Sequence, residues 1–124
     1  MTKRAVVIGA GHYLPERIVE NAEFEGKIDT SDEWIRSRSG IERRHFVGEG
    51  ETTSTMATAA AKAALADAGK TAADVDAVIV ATSTPDLTFP SAATMVQAQL
   101  EMERGSAFDV QAVCAGFVYA LANA

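Results

Sequence analysis

Cys114 is the single cysteine of the chain, in the run Phe108-Asp109-Val110-Gln111-Ala112-Val113-Cys114-Ala115-Gly116-Phe117. Ala107 to Val110 predict a short buried strand, and the residues from Cys114 onward predict a helix. That places a thiol at the first turn of a helix fed by a strand. Unpaired N–H groups and the helix dipole there favour a thiolate, the form that attacks a carbonyl carbon. Free cysteine also serves as a small apolar filler, so the local sequence leaves both roles open. A cysteine-based acyl transfer further needs a group to manage the proton and donors for the oxyanion. The chain does not obviously supply them. His12 and His45 have no metal-ligand spacing to each other or to Cys114, and a hydrogen-bonded structural histidine is the commoner use of either.

A second set of residues suits an anion. Arg36, Arg38, Arg43 and Arg44 fall in a ten-residue window whose only acid is Glu42. Such a patch is a solvated face or a meeting point for phosphates. Trp34 and Arg38 are four apart and share a face if the segment is helical. Gly9-Ala10-Gly11-His12-Tyr13-Leu14 begins like a dinucleotide fingerprint but has Leu14 where the third glycine is needed. Pro15 follows, and no acidic residue closes a second strand, so that reading is rejected.

These residues must be positioned by an alternation of strands and helices. Arg4 to Ile8 predict a first strand, ending in the turn Gly9-Ala10-Gly11. Thr30-Ser31-Asp32-Glu33 has capping-box spacing, so a short helix should start there and stop at Gly40. An alanine-rich helix is predicted from Ser54 to Ala68, ended by Gly69, with a further turn at Thr71 to Asp74. Asp76 to Thr82 is a continuous apolar run of the kind covered on both faces. A loop with Pro85 and Pro90 follows, then a helix over 91–102, then the strand that leads to Cys114. The order predicts an α/β fold with a parallel or mixed buried sheet.

Composition narrows the class. At 124 residues with 48% apolar content the chain is about one globular domain long. Residues 1–45 carry eight basic and eight acidic side chains, and residues 46–124 carry three and nine. Nothing argues for nucleic acid. One cysteine excludes an internal disulfide, which fits a reducing cytoplasm. The stretch from Met1 to Gly9 is too short for a signal peptide, and no apolar run approaches the ~20 residues that span a bilayer. The helix opened at Cys114 reaches Ala124 without a capping glycine, and its apolar side chains predict that it is buried. Three predicted strands are few for so much helix, so the chain reads as the N-terminal part of a larger fold.

The ordered motifs resemble a known family. Gly9-x-Gly11-x-Tyr13-Leu14-Pro15 comes first, then Asp29-Thr30-Ser31-Asp32-Glu33-Trp34-Ile35 and Arg38-x-Gly40-Ile41-x-x-Arg44-His45. Thr52 to Met56, Phe89-Pro90-Ser91-Ala92-Ala93, Phe108-Asp109-Val110 and Cys114-Ala115-Gly116-Phe117 complete the series. Together they resemble the N-terminal portion of β-ketoacyl-acyl-carrier-protein synthase III, of the thiolase superfamily. The resemblance implies a thiolase-like layered α/β/α/β/α fold, of which residues 1–124 are the N-terminal part, the C-terminal half being absent. It implies an acyltransferase that starts fatty-acid synthesis by decarboxylative Claisen condensation of an acyl-CoA, acetyl-CoA by preference, with malonyl-acyl-carrier protein. Cys114 matches the acyl-accepting nucleophile. Trp34 matches the tryptophan that stacks on the adenine of coenzyme A, and Thr30 and Arg38 match contacts to the same nucleotide. Phe89 matches a residue that reaches across a homodimer interface to cap the partner's acyl pocket. Acyl-CoA is a substrate, and no cofactor or metal is implied. The family's catalytic histidine and asparagine match no position here, so the chain alone is expected not to condense. Val113 departs from the alanine that commonly precedes the cysteine. The alternatives are a starter-unit condensing enzyme of a polyketide-type pathway, or a non-catalytic fragment that needs a complementary segment.

Overall fold

The computed structural model describes residues 4–124. Met1, Thr2 and Lys3, the start of the stretch read as too short for a signal peptide, lie outside them. The chain divides into two compact units, residues 14–51 and residues 1–13 with 52–124.

Residues 14–51 are built on an antiparallel pair, β1 (Arg17–Glu20) and β2 (Arg43–Phe46), in register Arg17↔Phe46 to Glu20↔Arg43. Neither strand is predicted from the sequence. Between them lie a 3-10 turn at Asn21–Phe24 and helix α1 (Asp32–Ser39). The expected helix is present, but its N-cap is Ser31, whose Oγ accepts the Trp34 N–H at 3.1 Å, and the Thr30–Glu33 box does not form. Asp32 is fixed first, by Asn21 on its carboxylate and by Glu25 Oε1 on its amide. That sets the helix start one residue later. Gly40 closes the helix at φ 72°, a left-handed conformation that glycine adopts without a Cβ penalty. Pro15, Val19 and Asn21 are the buried residues here. Asn21 Nδ2 donates to Asp32 Oδ1 and to the Ile41 carbonyl, and its Oδ1 accepts from Arg44 Nη2.

In the second unit, α2 (Thr53–Ala68) runs from a Thr52 cap to Gly69. A 3-10 turn at Ala72–Asp74 then leads to β3 (Ala77–Ala81). Helix α3 (Ala92–Gln99) connects β3 to β4 (Ser106–Val110), which pairs parallel with β3 from Ala77↔Ser106 to Ala81↔Val110. Helix α4 (Gly116–Asn123) follows. Ala92, Ala93 and Val96 of α3 are the buried apolar residues, with Ser54 and Thr58 of α2 as buried polar ones. α3 stops three residues short of the predicted end, because Leu100 caps it and Glu101 turns left-handed at φ 57°.

Three expectations for this unit change. Arg4 to Ile8 form no strand, and Val6, Val7 and Ile8 are exposed, since no ladder partner lines up with them among the described residues. The glycines that follow are close-approach points against α2 rather than a turn. A Cβ on Gly9 would lie 2.6 Å from the Ala64 carbonyl oxygen, and one on Gly11 would meet the Ala64 nitrogen. β3 and β4 are only half-buried, and Phe117, Val118, Tyr119 and Leu121 of α4 are exposed rather than covered.

Candidate functional site

Cys114 sits at the junction of β4 and α4. Gln111 and Ala112 leave the strand, and Val113–Ala115 make a single 3-10 turn that runs straight into α4. The thiol is therefore carried by a tight turn just ahead of the α-helix, and not by the α-helix's own first turn as the sequence predicts. Ala115 N–H donates to the Ala112 carbonyl at 3.0 Å, and Gly116 N–H to that of Val113. The Cys114 N–H precedes both bonds of the turn. Val113 has φ 46°, a left-handed backbone that a β-branched residue rarely adopts. Cys114, the residue after it, is exposed.

The strand feeding this turn has a second task. Asp109, in the middle of β4, accepts the Ala92 N–H on Oδ2 and the Ala93 N–H on Oδ1, both at 2.8 Å. Ser91 Oγ accepts the Thr94 N–H at 3.2 Å. Three orphan donors at the start of α3 are thus satisfied, and the loop that ends at Ser91 is locked to β4. Phe89, in that loop, is 88% exposed. In sequence, Asp109 stands only as a member of the Phe108-Asp109-Val110 motif. A carboxylate flanked by Ala107, Phe108 and Val110 is the signal of a fixed partner.

Thr30, Trp34 and Arg38 belong to residues 14–51. Trp34 is 57% exposed on α1, and the Arg38 guanidinium carbon lies 6.0 Å from its ring centroid, so the predicted shared face exists. Thr30 Oγ1 is buried with no hydrogen-bond partner among the described residues. The four arginines do not act as one patch. Arg36 pairs with Glu42 at 2.8 Å and with Asp32 at 3.9 Å. Arg44 donates to Asn21 and lies 4.9 Å over the Phe24 ring. Arg38 and Arg43 have no carboxylate within ion-pair reach among the described residues. His45 is structural: its Nδ1 is 2.5 Å from the Pro15 carbonyl oxygen, which it serves as a donor. Among the described residues no helix is long and apolar enough to cross a membrane.

No protein-family model matches the chain. Among curated proteins, a β-ketoacyl-acyl-carrier-protein synthase III of Ruegeria sp. strain TM1040 is 80% identical over 124 residues, covering all of this chain and 38% of that protein. Among solved structures, the 3-oxoacyl-acyl-carrier-protein synthase III of Aquifex aeolicus VF5 superposes with a TM-score of 0.88 at 48% identity, over 94% of this chain and 37% of that one. The priming β-ketosynthase of the R1128 polyketide pathway gives 0.90 at 38% identity, over 95% and 35%. The chain thus spans 38% of the length of the curated relatives it matches, and corresponds to the N-terminal part of the thiolase-like fold.

Proposed function

We propose, for a chain that belongs to the β-ketoacyl-acyl-carrier-protein synthase III family and matches its N-terminal part, that Cys114 is the acyl-accepting nucleophile of a cytoplasmic, homodimeric condensing enzyme. The observation that carries this is the exposed thiol on a strained turn between β4 and α4. In the whole enzyme the Cys114 thiolate attacks the carbonyl carbon of acetyl-CoA, and the tetrahedral oxyanion is held by backbone N–H donors that include that of Cys114. Collapse expels the CoA thiolate, which takes up a proton, and leaves the acetyl group on sulfur. Malonyl-acyl-carrier protein then loses carbon dioxide, and its electron pair attacks the acetyl-cysteine carbonyl. The new C–C bond forms as the C–S bond breaks, which regenerates the thiolate and releases a 3-oxoacyl-carrier protein.

Trp34 is the stacking platform for the adenine of CoA, and Arg38 meets its phosphates beside it, with Thr30 close in sequence. Phe89 caps the acyl pocket of the partner subunit, and its exposure suits such a reach. The chain spans 38% of its relatives' length, so the reaction is assigned to the whole enzyme, of which residues 1–124 are the N-terminal part of one domain. The 124 residues alone are expected to show no condensation. The test is mass spectrometry of the full-length protein after exposure to acetyl-CoA. An acetyl group on the Cys114 peptide that disappears in Cys114→Ala is expected, and an adduct that survives the substitution refutes the assignment.

A second reading is a starter-unit condensing enzyme of a polyketide-type pathway, favoured by the TM-score of 0.90 to the priming ketosynthase. Acyl-CoAs of graded length, offered with a fatty-acid carrier protein and a polyketide carrier protein, separate the two. Preference for acetyl-CoA and the fatty-acid carrier supports the first.

A further inference from the structure

Residues 82–91 join β3 to α3 and carry Phe89, and this loop is fastened by a carboxylate at two points. At the far end Asp109 holds the start of α3, as described above. At the near end Asp86 Oδ1 accepts the Ser54 backbone N–H at 2.8 Å, and Oδ2 accepts the Ser54 hydroxyl at 2.6 Å. Ser54 is fully buried in the first turn of α2. Its Oγ accepts in turn from Gln99 Nε2 at 3.1 Å, so a directed chain of donors runs from α3 through α2 and ends on the Asp86 carboxylate. Thr53 Oγ1 adds a bond to the Thr84 carbonyl at 2.6 Å. Ser54 is the buried member of this network, so turning its hydroxyl away from Asp86 leaves a buried donor without an acceptor. The three residues between Asp86 and Pro90, Phe89 among them, are then exposed but hung between fixed points.

We infer that Asp86 is a positioning residue for acyl-chain selection: by fastening loop 82–91 to α2 it fixes where Phe89 closes the acyl pocket. The inference rests on the assignment of Phe89 above. Asp86 touches neither substrate nor thiol in this scheme and acts only through the phenylalanine.

The test is made in the full-length enzyme by comparing kcat/KM for acetyl-CoA and hexanoyl-CoA. Phe89→Ala is expected to raise the hexanoyl-to-acetyl ratio by roughly tenfold or more, the scale on which a pocket discriminates apolar groups. Asp86→Ala is expected to shift the ratio in the same direction by several-fold, and to add nothing in the Phe89→Ala background, since both changes act at one point. A residue with only a structural role lowers both rates alike and leaves the ratio where it was. Should Asp86→Ala fail to fold, Asp86→Asn and Thr53→Val each remove one strand of the fastening and are read in the same way. A ratio that moves with Phe89→Ala but stays fixed in all the fastening variants overturns the role of Asp86 and leaves Phe89 as assigned. A ratio unmoved by Phe89→Ala overturns the assignment of Phe89 and the inference with it.

Discussion

Asn21 holds the α1 platform together, and its replacement by alanine has a calculable cost. The side chain is 1% exposed and makes three hydrogen bonds, to Asp32 Oδ1 at 2.9 Å, to the Ile41 carbonyl at 2.7 Å and from Arg44 Nη2 at 2.6 Å. They join the first turn of α1, the residue after its C-cap and strand β2. The carbonyl bond contributes about 1 kcal/mol and the charge-assisted bond from Arg44 about 2 kcal/mol. The Asp32 side chain is 47% exposed, so its oxygen turns to water and adds little. Asn21→Ala should therefore raise the free energy of α1 docking by about 3 kcal/mol. Backbone amide exchange then reads this as an acceleration of about a hundredfold for the α1 amides, those of Ile35 and Gly40 included. Amides of α2 and α3 should keep their protection. Asn21→Asp should do no better than alanine, because it keeps the arginine bond but loses both donors and sets a second carboxylate against Asp32. Acceleration of less than about threefold in α1 would refute the reasoning. So would equal acceleration in all helices, since Asn21 would then not be a local joint.

A methyl group on Gly11 would press on the Ala64 nitrogen and lie 2.5 Å from the Ala60 carbonyl oxygen. Helix backbone cannot yield there, so Gly11→Ala should cost about 1–3 kcal/mol, and an unchanged urea midpoint would contradict the close approach. Val113→Gly should relieve about 1–2 kcal/mol of left-handed strain at φ 46° and give back up to about 1 kcal/mol in chain entropy. Val113 is 76% exposed, so little burial is lost and the net effect is a small gain, while a lower midpoint for the glycine variant would refute the strain. Burial pushes the Asp86 carboxyl up, but hydrogen bonds from Ser54 and Thr52 outweigh it and hold the group below the ordinary carboxylate range. Its contribution should be complete above about pH 4 and fade as the pH falls through the lowered value. The stability gap between wild type and Asp86→Asn should therefore narrow in acid, and a widening gap would contradict the sign. In the full-length enzyme Arg38→Ala should raise KM for acetyl-CoA by roughly tenfold, whereas Arg36→Ala, whose guanidinium is already paired, should leave KM within about twofold and cost about 0.5 kcal/mol of stability. Equal effects of the two on KM would count against Arg38 as the phosphate ligand.

What could be read from the sequence was local. Gly40 and Gly69 announced two helix ends, and both are left-handed caps at φ 72° and 61°. The apolar run at 77–81 and the strand ahead of Cys114 were recognisable because a continuous hydrophobic segment of that length has few other uses. β1 and β2 are not legible in the sequence because Arg43-Arg44-His45-Phe46 has no apolar alternation, and its partner at Arg17 to Glu20 is far away in sequence. The converse case, Arg4 to Ile8, has the composition of a strand without a ladder partner among the described residues. Strand composition states a preference, and hydrogen-bonded neighbours decide the outcome. Asp86 and Asn21 were illegible for the same reason. Each is an ordinary polar residue in sequence, and its weight comes from partners 32 and 20 positions away.

The arginine cluster carries this lesson into the site. Counted along the chain, four guanidiniums in ten residues look like a phosphate-binding field. In the fold two of them are spent, Arg36 on Glu42 and Asp32, and Arg44 on Asn21 and the Phe24 ring. Residues 14–51 contain six basic and ten acidic side chains, so the unit as a whole would repel a polyanion. For the proposed nucleotide contact, attraction is then short-ranged, within about a Debye length of ~8 Å, and comes from the arginines that no carboxylate engages. Arg38 is one of these, and it alone of the four stands on the exposed face of Trp34. If Trp34 and Arg38 bind the nucleotide as proposed, selection rests on this one stacked pair and not on net charge, and the pairing of each arginine matters more than their number.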